Sequence, residues 1–359
     1  IGSTVSGNRA EGAFTTAGGG VFGATVTLLA STVAGNLASG GRADGGGIRA
    51  QTVQAVDGST VIGNIVQGSF GSGGGIAAET VLLVARPART PAAPPPPLGR
   101  GVVFTGGGLA ARSAHLTRSL VTDNVAGGGG FAGAYGGGIR ADELTLVDST
   151  VSGNRTAGDR GEGGGVRGGT VTLIGSTVSD NVGTKGGGIV AWDVIAANST
   201  VSGNVALAGG RASAGIHAAD GTVTLTSSTV SGNLLDGGLD TVGRAITAGT
   251  LSLVNSIVLG NAGAPDVPEI VAGEVHRVAS LLPGDPRVTA ELVFAETREL
   301  IALDGTPTGV RAGVLADHGG PTWTIALEDD LANPALDSGD LALAPISDQR
   351  GVARPQGAA

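Results

Sequence analysis

Polar and apolar residues alternate in short segments along most of the chain. Clear cases are residues 143–147 (Glu-Leu-Thr-Leu-Val), 170–174 (Thr-Val-Thr-Leu-Ile) and 222–226 (Thr-Val-Thr-Leu-Thr). An alternation with a period of two residues is typical of β-strands that bury one face. Glycines interrupt the alternation every few residues, which would destabilise helices and favours turns. The pattern therefore predicts a chain made of many short strands joined by tight turns.

Two sequence motifs recur in step with these strands. The first is Ser-Thr-Val-Ser-Gly-Asn and its variants, whose leading serine recurs at intervals of 28, 28, 60, 30, 27, 23, 29 and 28 residues. The interval of 60 residues corresponds to two periods that enclose one degenerate copy. The second motif is three glycines followed by an aliphatic residue, and it decays after residue 189. Two motifs that share one period indicate a solenoid, in which each repeat forms one coil and stacks on its neighbours.

The period and the strand pattern together define the kind of solenoid. No Leu-x-x-Leu-x-Leu ladder is present, and a period near 28 residues fits a coil of three short strands joined by turns. We therefore predict an all-β fold, namely a three-sided parallel β-helix (β-solenoid) of about ten coils. Right-handed coiling is expected because parallel crossover connections are almost always right-handed. We assign residues 1–261 to the coils and residues 262–359 to a C-terminal capping and anchor-type module.

An asparagine ends each copy of the first motif, at a turn where it can adopt the left-handed backbone conformation. When coils stack, its amide can donate to the coil on one side and accept from the coil on the other side. We therefore predict a structural asparagine ladder rather than a row of binding residues. The ladder residues are Asn8, Asn36, Asn64, Asn124, Asn154, Asn181, Asn204, Asn233 and Asn261.

The degenerate copy of the repeat contains a proline-rich insertion at residues 86–100. Four consecutive prolines cannot join a strand ladder and prefer the extended polyproline II conformation. We expect a loop that leaves the surface of the coil, and a ligand for a proline-recognising partner is the alternative.

Composition limits the chemistry that the chain can carry. Cysteine is absent, which excludes disulfides and thiolate metal sites. The net charge of −9 argues against nucleic acid as a partner, and no apolar run approaches the roughly 20 residues that span a bilayer. The four histidines lack metal-binding spacing, so the sequence indicates no cofactor. Because the chain opens inside a repeat, we expect further residues on its N-terminal side.

Both motifs are intact at residues 136–154, which read Gly-Gly-Gly-Ile-Arg-Ala and Leu-Thr-Leu-Val-Asp-Ser-Thr-Val-Ser-Gly-Asn. They resemble the polymorphic outer-membrane-protein type of β-helix repeat, which occurs in bacterial autotransporters, adhesins and large secreted proteins. Near the C-terminus, residues 318–324 (His-Gly-Gly-Pro-Thr-Trp-Thr), 333–339 and 348–351 resemble the choice-of-anchor module of bacterial surface proteins. These resemblances imply an extracellular or bacterial cell-surface protein with surface glycans or other extracellular protein subunits as partners. In this signature we expect His318 to make a structural hydrogen bond.

The leading functional hypothesis is a non-catalytic structural or adhesive β-solenoid that decorates a larger surface assembly. A subunit that coats a filament differs from it only in its partner. The alternative is a carbohydrate-active β-helix enzyme, either a polysaccharide lyase, commonly dependent on Ca²⁺, or a glycoside hydrolase. Hydrolases require two carboxylates about 5–10 Å apart. Asp123 and Asp180 precede ladder asparagines but belong to non-adjacent coils, so the sequence identifies no catalytic or metal-binding residue.

One surface feature favours contact with a charged glycan. Arg140 and Arg167 follow the triple-glycine motif in adjacent coils, and their side chains should lie about 5 Å apart on the outer face. A solvated charged face is the ordinary interpretation of such a pair, and the alternative is a short basic strip that contacts anionic glycans.

Overall fold

The computed structural model describes residues 1–56, 58–67, 70–84, 103–105, 108–127, 135–157, 161–207, 213–236, 244–264, 267–284, 288–336 and 338–354. Residues 4–278 form a β-solenoid of about eight turns of parallel stacked strands, which confirms the predicted fold class. Ten strands stack in one of the sheets. The count of about eight turns is lower than the ten coils expected. Right-handed coiling and three sides remain predictions, and the proline-rich insertion at 86–100 lies outside the described residues.

The Ser-Thr-Val motifs form strands of two or three residues that stack in one parallel sheet, hereafter the short-strand sheet. The register aligns equivalent residues, so Val151 pairs with Val178, and Val178 pairs with Val201. These central valines are buried in the core. Because side chains alternate along a strand, the threonine and serine on either side of each valine point away from the core. The strands are Thr4–Ser6, Thr32–Ala34, Thr60–Ile62, Val103–Thr105, Leu120–Thr122, Thr150–Ser152, Thr177–Ser179, Thr200–Ser202, Thr229–Ser231 and Ile257–Val258.

The triple-glycine motifs lead into a second parallel sheet of twelve strands, hereafter the long-strand sheet. It contains the alternating segments that predicted the strands. Its inward residues, such as Leu144 and Val171, pack with the central valines of the short-strand sheet in one continuous core. Burial of each such side chain contributes roughly 1.5–3 kcal/mol. The strands are Val21–Leu29, Ile48–Val56, Ile76–Ala77, Thr80–Val84, Leu109–Thr117, Ile139–Val147, Val166–Ile174, Ile189–Val190, Asp193–Ala197, Ile216–Thr226, Ile246–Val254 and Ile270–Val278.

Shorter parallel sheets connect the short-strand sheet to the next triple glycine in each turn. Near the N-terminus two three-stranded sheets serve this purpose, and from residue 125 onward a single five-stranded sheet does so. The strands are Arg9–Glu11, Leu37–Ser39 and Ile65–Gln67; Thr15–Ala17, Arg42–Asp44 and Phe70–Ser72; and Val125–Gly127, Arg155–Ala157, Val182–Gly183, Val205–Leu207 and Leu234–Asp236.

Each position of the triple-glycine motif requires glycine for a different structural reason, as residues 163–165 illustrate. Gly163 has a φ of +66°, in the left-handed region that disfavours other residues. A Cβ on Gly164 would lie 2.4 Å from the backbone of Val182. A Cβ on Gly165 would lie 2.8 Å from the side-chain amide of Asn181. The motif therefore creates the turn, allows close backbone packing and leaves room for the ladder asparagine.

The corner before each ladder asparagine adopts the left-handed backbone conformation. Glycine occupies this corner in most turns, and Asp123 and Asp180 replace it with φ values of 55°. Aspartate tolerates this conformation better than most residues. The ladder asparagines themselves have no positive φ. The expectation that asparagine supplies the left-handed residue of the turn is therefore wrong, because the preceding residue makes the turn and the asparagine supplies hydrogen bonds.

Residues 288–354, hereafter the tail, follow the parallel stack. Apolar contacts attach the tail to the last turns: Phe294 and Ile325 pack with Leu259, and Leu300 packs with Leu234. Its elements are one helical turn, Ala290–Val293, and two antiparallel pairs, Thr297–Ile301 with Pro307–Gly313 and Leu315–Ala316 with Thr324–Ile325.

Candidate functional site

The asparagine ladder runs through the interior of the solenoid with a single direction. Asn181 Nδ2 donates to Asn204 Oδ1 at 2.9 Å, and Asn181 Oδ1 accepts from both Nδ2 and the backbone N–H of Asn154 at 2.9 Å. The same pattern connects Asn204 to the next turn. Eight of the nine predicted asparagines are fully buried, and only Asn8 in the first turn is exposed. The ladder is therefore confirmed as a structural feature.

A carboxylate ends the ladder. Glu269 Oε2 accepts hydrogen bonds from Asn261 Nδ2 at 2.8 Å and from the Asn261 backbone N–H at 3.1 Å. A row of amides that all donate in the same direction requires an acceptor at its end, and a carboxylate can only accept. Burial raises the pKa of Glu269, and the hydrogen bonds from Asn261 and the positive charge of Arg244 partly oppose that shift.

The tail folds back along the short-strand sheet and hydrogen-bonds to its outward hydroxyl groups. Thr177 Oγ1 donates to the Trp323 carbonyl at 2.8 Å, and Thr322 Oγ1 donates to the Gly175 carbonyl at 2.9 Å. Gln349 Nε2 donates to Thr177 Oγ1 at 3.0 Å and to Thr322 Oγ1 at 2.9 Å. Gln349 Oε1 also accepts from Thr200 Oγ1 at 2.8 Å. Gln349 therefore connects two turns of the solenoid to the tail.

Contacts nearer the end of the tail fix its direction along the solenoid. Asn198 Nδ2 donates to the Ser347 carbonyl at 2.8 Å, and Arg354 Nη1 donates to Asn198 Oδ1 at 2.9 Å. Asn255 forms a reciprocal pair of hydrogen bonds with the backbone of Asp340, at 2.8 and 2.7 Å. Along the tail, the contacts pass from Leu259 to Gly175, return to Asn255 and then reach Asn198, so the tail passes along the stack twice.

A cleft of about 430 Å³ lies where the tail meets the solenoid, hereafter the flank cleft. The solenoid lines it with Thr122, Thr150, Ser152 and Asp180, and the tail lines it with Asp317 and Trp323. Its volume is within the range of small-ligand sites, about 300–1,000 Å³. Trp323 is 48% exposed, so part of its side-chain surface is available to a ligand.

Asp180 is held in the flank cleft by the left-handed corner that it occupies. Its carboxylate lies over Gly203 of the next turn, where a Cβ would be only 2.3 Å from Oδ1. Burial raises the pKa of Asp180, while a hydrogen bond with Ser179 and the positive charge of Arg298 act in the opposite direction. The Asp180 side chain nevertheless remains exposed to solvent, so a ligand in the cleft can reach it.

The tail segment of the flank cleft is a tight turn fixed by its own side chains. Asp317 Oδ1 accepts from the Gly319 backbone N–H at 3.0 Å. Gly320 has a φ of 99°, and a Cβ there would lie 2.5 Å from the Cα of Arg350. His318 Nδ1 and Thr324 Oγ1 are 3.1 Å apart, in the structural hydrogen bond expected for this histidine. These contacts hold Asp317 and Trp323 on a defined backbone.

Arg140 and Arg167 are aligned in adjacent turns of the long-strand sheet. The Arg140 guanidinium lies 5.4 Å from the centroid of the Tyr135 ring. Arg167 Nε donates to Glu162 Oε2 at 3.1 Å, and its Nη1 donates to the Gly168 carbonyl at 2.7 Å. The two arginines form the predicted row, but Glu162 offsets part of its positive charge. Contact of this row with an anionic glycan remains a prediction.

Comparison with family models, with curated proteins and with solved structures gives no match to this chain. The resemblance to polymorphic outer-membrane-protein repeats and to an anchor module therefore remains a prediction. Within the ranges that the structure describes, no helix is long and apolar enough to cross a membrane, and no three ligating side chains are grouped to hold a metal ion.

The sequence alone did not identify four residues of the flank cleft and of the contacts between tail and solenoid, namely Trp323, Gln349, Asp180 and Asp317. Trp323 and Gln349 belong to the C-terminal signatures, yet their contact with the repeats could not be read from a linear pattern. Asp180 belongs to a coil that does not adjoin that of Asp123, but in the structure it lines the flank cleft together with Asp317 of the tail. The outward Thr and Ser of the repeated motif were the available signal that the short-strand sheet has a polar outer face.

Proposed function

We propose that this chain is a non-catalytic structural or adhesive β-solenoid that acts outside the cell or on the bacterial cell surface. The observation that carries the proposal is the tail, whose polar contacts with the outward hydroxyls fix a ligand-sized cleft on a rigid stack. A continuous core and an uninterrupted ladder over residues 124–261 make that stack a stiff support. The extracellular location and the surface partners are supported by the resemblance of the repeats and of the C-terminal signatures.

Retention on surfaces tests the adhesive role. Beads that carry the purified chain would be held under flow over surfaces coated with different polysaccharides, and the released reducing ends would be measured in the same chamber. We expect retention on at least one surface without release of reducing ends. Absence of retention on every surface would contradict the adhesive role.

One observation favours a carbohydrate-active enzyme as the second candidate. Asp180 and Asp317 line the same cleft, and burial raises the pKa of Asp180. Glycoside hydrolases use two carboxyl groups, one of which has a raised pKa. Release of reducing ends that is abolished by Asp180→Asn and by Asp317→Asn would place the chain in this class. The assay would be run with and without Ca²⁺, because lyases of this architecture commonly require that ion.

A further inference from the structure

The short-strand sheet presents two columns of hydroxyl groups on its outer face. In four consecutive turns, threonine occupies the first position of the strand and serine the third: residues 150 and 152, 177 and 179, 200 and 202, and 229 and 231. The tail uses some of these hydroxyls as docking points, since Thr177 and Thr200 bond to it and Ser231 Oγ accepts from the Gly313 N–H at 3.2 Å.

The columns continue past the point where the tail stops covering them. Thr150 and Ser152 are half-buried and line the flank cleft, whereas Thr177 and Ser179 in the next turn are buried. Successive turns of stacked strands are about 4.8 Å apart, so the hydroxyls form a regular polar floor. A ligand in the cleft would form hydrogen bonds with the hydroxyls of Thr150 and Ser152, as the tail does with Thr177 in the next turn.

The walls of the flank cleft define the chemistry of that ligand. Trp323 supplies a partly exposed aromatic surface, and Asp180 and Asp317 supply carboxylate acceptors. Among the described residues that line the cleft, none is cationic. Carboxylates accept hydrogen bonds from hydroxyl groups and repel anions, while an aromatic face packs against apolar C–H groups. A molecule with many hydroxyls, an apolar face and no negative charge fits all three features.

We infer that the flank cleft binds a neutral saccharide, with Trp323 packed against the face of one sugar ring and Asp180, Asp317 and Thr150 bonded to its hydroxyls. This inference rests on the proposed adhesive function and names its ligand class. It differs from the basic strip of Arg140 and Arg167, which lies on the long-strand sheet and favours anionic glycans. The two surfaces therefore predict opposite preferences for charge.

Tryptophan fluorescence gives a direct test because the chain contains only two tryptophans. Trp192 is 61% exposed and lies outside the flank cleft, so Trp192→Phe leaves Trp323 as the sole reporter. Cellotetraose, maltotetraose and chitotetraose would be titrated into this variant, with tetragalacturonate as the anionic probe of equal length. We expect saturable change with at least one neutral probe and none with tetragalacturonate.

Matched variants separate binding from folding. Calorimetry on the full chain should show that Trp323→Ala weakens binding of the neutral probe by about tenfold or more, as for aromatic residues at the centre of a contact. Trp192→Ala should leave binding unchanged. Thr150→Val preserves shape and removes only the hydroxyl, so it should weaken binding without altering the thermal unfolding curve.

Three results would overturn the inference. The first is that Trp323 fluorescence responds to none of the neutral probes. The second is that tetragalacturonate binds more tightly than the neutral probes. The third is that Trp323→Ala and Trp192→Ala lose the same amount of affinity. Bead retention distinguishes this failure from failure of the adhesive role. If Trp323→Ala beads are retained as well as the unmodified chain, the adhesive function stands and the assignment of the flank cleft is wrong.

Discussion

Replacement of Asn181 by alanine is the most direct test of how the solenoid is held together. Asn181 lies in the middle of the ladder and is fully buried. Its side chain accepts two hydrogen bonds from Asn154 and donates to Asn204 Oδ1 and to the Val151 carbonyl, all at 2.9–3.0 Å. Alanine at this position would remove all four hydrogen bonds and leave a cavity beside Gly165.

The size of the effect follows from which partners are left unsatisfied. Asn154 Nδ2 would keep its bonds to the Val121 and Ser152 carbonyls, and Asn204 Oδ1 would keep the bond from the backbone N–H of residue 181. The backbone N–H of Asn154 would lose its acceptor. A buried donor without a partner costs about 1–3 kcal/mol, and we take the loss of the other three hydrogen bonds together as about one net hydrogen bond, or about 1 kcal/mol. We therefore expect Asn181→Ala to lower the free energy of unfolding by about 2–4 kcal/mol.

Urea denaturation followed by circular dichroism would measure the change, and hydrogen exchange would locate it at the Asn154 amide. The matched control is Asn8→Ala, which makes the same substitution at the exposed start of the ladder. We expect the control to cost less than about 1 kcal/mol, because water can replace the lost contacts there. If both variants lose stability equally, or if the Asn154 amide stays protected in Asn181→Ala, the buried hydrogen bonds of the ladder do not stabilise the fold.

Three further predictions concern other parts of the same framework. Gly165→Ala should destabilise the solenoid, because its Cβ would lie 2.8 Å from the Asn181 side chain. Thermal unfolding would show it, with Gly23→Ala as the control because a Cβ there would meet no atom closer than 3.7 Å. Gln349→Ala should leave the solenoid folded but increase proteolysis of the tail, whereas unchanged proteolysis would contradict its connecting role. The raised pKa of Glu269 means that its contribution to stability is complete below its ordinary value of 4.5 and is lost as pH rises through the folded value. Glu269→Gln should remove that loss, so equal pH dependence of unfolding in both proteins would refute it.

The fold could be predicted from the sequence because its determinants are local and repeated. A two-residue alternation, a fixed period and a motif asparagine each specify one coil, and stacking then reproduces the same contacts from Asn124 to Asn261. Glu269 could not be recognised in this way, since it ends the ladder from outside the repeat. A count of motifs predicts about ten turns, whereas the stack has about eight.

The candidate site could not be predicted for a different physical reason. The flank cleft joins Thr150 and Asp180 of the solenoid to Asp317 and Trp323 of the tail, across more than a hundred residues of sequence. No periodicity connects these segments, and their contacts depend on where the tail folds back. Asp180 alone resembles an ordinary turn residue, and only the fold of the tail brings a second carboxylate, that of Asp317, to the same cleft.

The hexapeptide motif explains how one repeat serves both stability and recognition. Its valine and asparagine face the interior, where stacking leaves little freedom to change either of them. Its threonine and second serine face outward, where packing imposes no such restriction. Both outward positions nevertheless carry hydroxyls in four consecutive turns. The tail forms hydrogen bonds with one hydroxyl in each of three of those turns, those of Thr177, Thr200 and Ser231. Thr150 and Ser152 of the remaining turn line the flank cleft together with Thr177 and Ser179. The outward hydroxyls are thus a binding surface whose greater part the protein's own tail occupies, and the flank cleft is the part left for a ligand.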